Sequence, residues 1–381
     1  MVHSTRAGQY VHQIEGYQAF IPSPLPPQPE IVMDQEMWNL LSQADRALGR
    51  LDGATDALPN PDLFVFMYVR KEAVLSSQIE GTQASLMDVL EFESQALEPQ
   101  NPQDIAEVVN YIDAINHGLD RLKDLPVSLR LIKEIHEKLM RGVRGSERDP
   151  GEFRRSQNWI GTGGCSLKDA TYVPPPPHEM LKSLDNLEKF LHSSQPMPTL
   201  IKVGLAHAQF ETIHPFLDGN GRTGRLLITF LLCEQNILQR PLLYISYYFK
   251  KYRSQYYDYL QDIRDRGNWE NWLKFFLCGI YEVAQEAAAT ARKIVNLKEE
   301  HRQLVLDQMG RRAAKAIALL ESLYSKPIFT VEHAIEITKL RYSNANTLIK
   351  NLCDLRLLEE ITGQKRNRAF SYAPYLEVFR D

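Results

Sequence analysis

Between His214 and Arg225 the segment HPFLDGNGRTGR packs an imidazole, a carboxylate, three glycines and two guanidiniums into twelve residues. Each of these groups handles phosphate. Apolar periodicity over 198–213 and 221–236 predicts helices on both sides, so the glycines fall at the mouth of a helix N-terminus. There the unpaired amides of Gly219, Asn220 and Gly221, with the positive end of the helix dipole, form an anion cradle. Arg222 and Arg225, three apart, share a face of the first helical turn, where planar guanidiniums grip phosphate oxygens in pairs. Asp218 offers a hard oxygen for Mg²⁺ when substrate phosphates supply its other ligands. His214, with an ordinary pKa near neutrality, can take the proton from a hydroxyl attacking phosphorus. A base, a metal ligand and a polyphosphate cradle together describe transfer of a phosphate-containing group.

Other readings of these residues fit less well. Gly219, Gly221 and Gly224 satisfy GxGxxG, but a dinucleotide fingerprint must follow a strand and be trailed by an acid about twenty residues on, near where Tyr244 stands here. The Lys-Ser/Thr of a P-loop is absent. His207, Glu211 and His214 recur on one helical face, yet HExxH is lacking and Pro215 breaks the helix beside the last of them.

The elements that must hold this loop are mostly helical. Apolar residues recur at three- and four-residue spacing over 34–50, 62–80, 85–96, 103–123, 128–141, 179–193, 247–265 and 269–295 as well. Residues 151–177 break the pattern: QNWIGT and ATYVPP around GGCSLKD predict a β-hairpin with a long loop. The proline-dense IPSPLPPQPE, 21–30, predicts an extended arm. Residues 297–312 read as a charged, helical connector, after which 313–381 give three helices and then a β-ribbon, the order of a winged helix-turn-helix. Its second-to-last element, SNANTLIKNLCD, carries one lysine and an aspartate, so this unit is expected to dock protein or dimerise in preference to binding DNA.

Composition narrows the setting. A chain of 381 residues predicts two or three domains, and a formal charge of −4 gives no global field for nucleic acid or membrane. Four scattered cysteines form no CxxC pair, and the start MVHSTRAGQYVHQIEGY lacks a signal-peptide pattern, so a cytoplasmic protein is expected.

HPFLDGNGRTGR resembles, at every defining position, the HPFx(D/E)GNGRxxR motif of the Fic family of protein adenylyltransferases. The resemblance implies a mainly α fold: a Fic helical bundle with a β-hairpin flap, here followed by a small winged-helix-like domain. It divides the chain into an N-terminal region (1–110), a catalytic domain (111–296) and the C-terminal unit (313–381). It implies His214 as general base, Asp218 as Mg²⁺ ligand, Gly219 to Gly221, Thr223 and Gly224 around the phosphates, Arg222 and Arg225 as phosphate grips, and Phe216 as a buried anchor. The reaction implied is transfer of AMP from Mg·ATP to a Tyr, Thr or Ser hydroxyl of another protein.

Upstream, Ser76-Ser77-Gln78-Ile79-Glu80-Gly81 matches the (S/T)xxxE(G/N) inhibitory motif of the same family, in the arrangement termed class II. That likeness implies pairing of Glu80 with Arg225 in place of the ATP γ-phosphate, and a second use of Glu80 in removing AMP. The hairpin 151–177 resembles the flap on which a target segment docks, and Tyr257 occupies the position expected to meet adenine. A second copy of the chain is the other partner expected. The alternatives are a similar transferase with another nucleotide donor and a nucleotide-sensing transcriptional regulator.

Overall fold

The computed structural model describes residues 5–56, 61–94, 101–162, 164–364 and 367–380. The chain opens with a hairpin, β1 (Gly8–His12) and β2 (Gln18–Pro22), paired antiparallel with Tyr10 opposite Phe20. The sequence reading placed no strand here; only Ile21 and Pro22 of β2 belong to the proline-dense arm. That arm is tied down by Arg6, which donates to the carbonyls of Pro29 and Glu30 and forms a two-bonded pair with Glu270.

Helices follow in close agreement with the periodicity: α1 (Gln35–Asp56), α2 (Asp62–Ile79), α3 (Leu86–Ser94), α4 (Pro102–Arg121), α5 (Leu129–Leu139), α6 (Pro177–Leu191), α7 (Thr199–Ile213) and α8 (Asn220–Glu234). The expected helix 247–265 is instead two, α9 (Ser246–Lys251) and α10 (Arg253–Arg266), separated at Tyr252, whose φ −114 and ψ 41 lie outside the helical region. The helix expected over 269–295 and the helical connector expected after it are one element, α11 (Trp269–Met309), 41 residues without a break. The segment 297–312 is therefore mostly a continuation of this helix, ending at Gly310 with φ +49. At 1.5 Å per residue α11 runs about 60 Å, and its charged second half is continuous because nothing in it stops a helix.

α7 and α8 are buried almost all round, as befits central helices. α4 and α5 pack beside α8, and Gly118 of α4 lets the Phe230 ring of α8 approach so closely that a Cβ there would lie 2.3 Å from Cζ. α2 packs against α4, α8 and α9, and α1 lies along α11. One continuous set of buried apolar side chains links all of these, and the boundary expected at 110/111 falls inside α4.

The C-terminal unit comprises α12 (Ala313–Ser322), β3 (Ile328–Thr330), α13 (Val331–Thr338), α14 (Tyr342–Asp354), β4 (Glu359–Glu360), β5 (Ala369–Ser371) and α15 (Ala373–Glu377), its antiparallel sheet ordered β3-β5-β4. No described helix is long and apolar enough to cross a membrane.

Candidate active site

The candidate segment 214–225 begins where α7 ends. His214 is the C-cap, in the left-handed region at φ 49, ψ 60, a conformation that costs a non-glycine residue about 1–3 kcal/mol and needs support from its surroundings. Two side chains supply it: Arg154 donates from Nε to the His214 carbonyl at 3.0 Å, and Asn158 reaches the His214 and Phe216 carbonyls at 3.4 and 2.8 Å. The loop is closed from within by Asn220, whose amide accepts from the Phe216 N–H and donates to the Phe216 carbonyl, both at 2.8 Å. Asn220 thus offers the cradle its backbone only. Thr223 is likewise occupied, its hydroxyl donating to the Gly219 carbonyl at 2.9 Å.

Phe216 is fully buried and stacks flat on His136, centroids 3.6 Å apart. His136 accepts at Nδ1 from the Gly151 N–H at 2.9 Å, so its Nε2 carries the proton and donates to the Asp218 carbonyl at 3.0 Å. Burial holds this imidazole down to about 4, and it stays neutral. Gly219 sits beside it at φ 74, where a side chain would strain the backbone and strike Met140.

Gly219 caps α8, and the first-turn amides of that helix have no intrahelical acceptor. The Glu80 carboxylate comes from the end of α2 to occupy this mouth: a Cβ on Gly221 would lie 2.3 Å from Glu80 Oε1. Glu80 accepts from Arg225 Nη2 at 2.7 Å, while Arg225 also donates to the Ser76 hydroxyl at 2.8 Å and the Ser76 carbonyl at 3.0 Å. Burial alone would push the Glu80 carboxyl up, but the charge and hydrogen bond of Arg225, with Arg222 behind it, hold it below the ordinary range. Gly81, at φ +103, turns the chain out of α2 immediately afterwards.

Arg222 is buried on Glu107 at 3.0 Å and lies 3.9 Å from Asp218. Asp218 accepts from the Gly219 N–H at 2.7 Å through Oδ1, and its Oδ2 lies 3.6 Å from the Arg148 guanidinium. His214 Nδ1 is buried without a hydrogen-bond partner. Burial, then the charges of Arg154 and Arg264, push the imidazole down to about 3, so it is a free base at neutral pH. Tyr257 on α10 is 41% accessible, yet burial of its hydroxyl and the nearby Glu80 charge push it up to about 12.

The expected hairpin over 151–177 contracts to one antiparallel bridge, Ile160 with Tyr172, around a short 3₁₀ turn. Its prolines and the GGCSLKD loop leave few residues able to pair in register. It is stapled by Tyr172, which donates to the Thr212 carbonyl, and Phe20 of β2 donates to the Val173 carbonyl at 2.9 Å on its other side. Trp159 and Ile160 remain exposed.

A family model for the Fic/DOC family matches residues 126–232, and one for the Fic/DOC family N-terminal region matches 38–120. The chain belongs to the Fic/DOC family. It is 30% identical over 252 residues, 64% of this chain and 46% of the relative, to a protein adenylyltransferase Fic of Aedes aegypti. It is 34% identical over 142 residues to one of Drosophila grimshawi, 37% of this chain and 26% of that relative. The matches thus span less than half the length of these curated relatives. Among solved structures, a Fic family protein from Desulfovibrio desulfuricans G20 shares the fold, with TM-score 0.59 and 18% identity over 90% of this chain and 97% of that one. Fic-1 from C. elegans gives TM-score 0.51 and 17% identity over 68% and 74%.

The Fic segment gathers every residue singled out in 214–225, with Glu80 and Ser76 joined to it through Arg225. What the motif did not reveal is its support: Glu107, His136, Arg154 and Asn158. Glu107 and His136 left one faint signal, a polar side chain on the apolar stripe of an amphipathic helix.

Proposed function

We propose that this Fic protein is a protein adenylyltransferase that moves AMP from Mg·ATP to a hydroxyl of a target protein and is held in check by Glu80. The observation that carries the reading is the pairing of a neutral His214, its Nδ1 without a hydrogen bond, with a helix mouth whose anion position is filled by the protein's own carboxylate. A phosphate-sized anion site and a base stand side by side.

Asp218 fits Mg²⁺ by chemistry: it is a carboxylate about a third exposed, with Oδ2 3.6 Å from the Arg148 guanidinium, a hard oxygen of the kind that shares the ion with phosphate oxygens. When bound, the ion would neutralise charge developing on the phosphates. The chain's residues do the remainder. The first-turn amides of α8 and the Arg225 guanidinium would hold the polyphosphate once Glu80 yields, and Tyr257 would lie against adenine. A target segment would lie along the Ile160 edge, bringing its hydroxyl to His214. The hydroxyl oxygen forms a bond to the α-phosphorus, the bond to the bridging oxygen breaks, and pyrophosphate leaves with that electron pair. His214 takes the hydroxyl proton.

Glu80 and phosphate compete for one fork of donors, so the nucleotide binds in an unproductive pose while the carboxylate stays. The same carboxylate, beside the site, would serve as base for water in the reverse removal of AMP. The test incubates wild type, Glu80→Gly and Glu80→Gly/His214→Ala with α-labelled ATP, Mg²⁺ and lysate. Labelled protein bands are expected with Glu80→Gly, faint for wild type and absent from the double variant. Absence of label from all three despite nucleotide binding would defeat the reading.

A further inference from the structure

Helix α14 carries one lysine and one aspartate, which by itself favours protein docking. The tertiary structure surrounds it with other cations. Arg311, Arg312 and Lys315, from the start of α12 and the turn before it, line a concavity of about 240 Å³ with Asn344 and Thr347 of α14. Lys339 and Arg341 immediately precede the helix, and Lys350 lies on it. All six cations are exposed, and among the described residues none makes an ion pair. A second concavity on the other flank joins Thr347 and Lys350 to Arg368, with Glu359 and Glu360 as its acids; Glu360 is matched by Arg368 at 3.8 Å. Residues 310–381 hold 12 Lys and Arg against 8 Asp and Glu in a chain whose net charge is −4, so positive charge is concentrated in this unit.

We propose that this face binds duplex DNA, with α14 in the major groove and Arg311, Arg312, Lys315 and Arg341 on the flanking phosphates. Exposed cations without an ion pair, three of them on one flank of α14, two at its start and Lys350 on the other flank, match phosphates bordering a groove. Between them α14 presents Asn344, Thr347 and Lys350 at three-residue spacing, types that hydrogen-bond base edges. RNA fits less well: its A-form major groove excludes a helix, and single strands are read by stacked aromatics, of which α14 exposes Tyr342 alone. An acidic protein would need no row of base-reading side chains.

The test uses the full chain and a fluorescently labelled duplex of arbitrary sequence, read by anisotropy. Binding in the micromolar range is expected at about 50 mM salt, with log K falling against log salt at a slope of about −4 for four or five phosphate contacts. Arg311→Glu/Arg312→Glu/Lys315→Glu should weaken binding about 100-fold or more, while Lys182→Glu/Lys189→Glu on α6 should change it less than about twofold. Should the triple variant fold poorly, Lys315→Gln alone should shallow the salt slope by about one. Absence of binding, insensitivity to Arg311, Arg312 and Lys315, or equal competition by polyglutamate or single-stranded RNA would each overturn the proposal. The readout involves no AMP transfer, so its failure and that of the transferase reading are separable.

Discussion

His214 sits in the left-handed region, one residue past the end of a helix, and this aims an otherwise ordinary imidazole. Its neutral state comes from burial and from Arg154 and Arg264, so activity should not fall from protonation of His214 between pH 8 and 6. A His titrating freely would cut the rate across that range, and a pH–rate profile of the Glu80→Gly variant distinguishes the two. His214→Ala in that background should lower transfer by about 10²–10⁴, the usual worth of a positioned base. Glu80→Gly itself should raise labelling about tenfold or more, since removing a competitor held by even 1.4 kcal/mol frees the site to that extent. Ser76→Ala tests how Arg225 is aimed: the guanidinium would lose its 2.8 Å acceptor and grip Glu80 less firmly. A partial rise in labelling, smaller than that of Glu80→Gly, is the expected outcome.

At the level of elements, α2, α4, α5, α7 and α8 act as one clamp. α2 brings Glu80, α4 brings Glu107 to Arg222, α5 brings His136 to the Asp218 carbonyl, and α7 and α8 carry the loop between them. The spacing of α4 from α8 depends on Gly118 against Phe230. Gly118→Ala should therefore destabilise the fold by about 1–3 kcal/mol, because backbone and an aromatic ring must both give way. Gly49→Ala is the counterpart: it lies in α1 with nothing within 4 Å of a new Cβ, and should stabilise by about 0.5–1 kcal/mol through helix propensity. Urea denaturation of both variants checks the pair, and equal effects would contradict the packing argument.

For the molecule as a whole, buried titratable groups set the response to acid. His136, His207 and His214 lie at about 4, 3 and 3, so folding favours their neutral forms. Their contribution is full above the ordinary histidine value and is lost as pH falls toward those numbers. Glu72 and Glu211, pushed up to about 7 by burial, act with the opposite sign: they favour folding when protonated, and that benefit is lost as pH rises through 7. His301 and His333, also lowered by burial, act with the three histidines, so the histidines outweigh the raised carboxyls and stability should fall as pH drops from 6.5 toward 4.5. Glu211→Gln removes one opposing group and should steepen that fall, which Tm measured against pH would show; an unchanged slope would mean that Glu211 ionises normally.

The sequence by itself determined the helices, because a 3.6-residue apolar period needs only local geometry, and it determined the catalytic segment, because the chemistry of 214–225 is contiguous. It also carried Glu80 and Ser76, as a pattern whose pairing partner lies about 150 residues away. Tertiary structure alone decided that partnership's geometry, the seat of Glu80 over Gly221, and the props Glu107, His136, Arg154 and Asn158, since each acts through a contact between distant segments. The helical character of 297–309 was legible, but its joining to 269–295 without a break was hidden by the change from apolar to charged residues, which alters what a helix faces without stopping it. The weak flap was hidden likewise, because strand pairing depends on a partner and a register that no single segment contains.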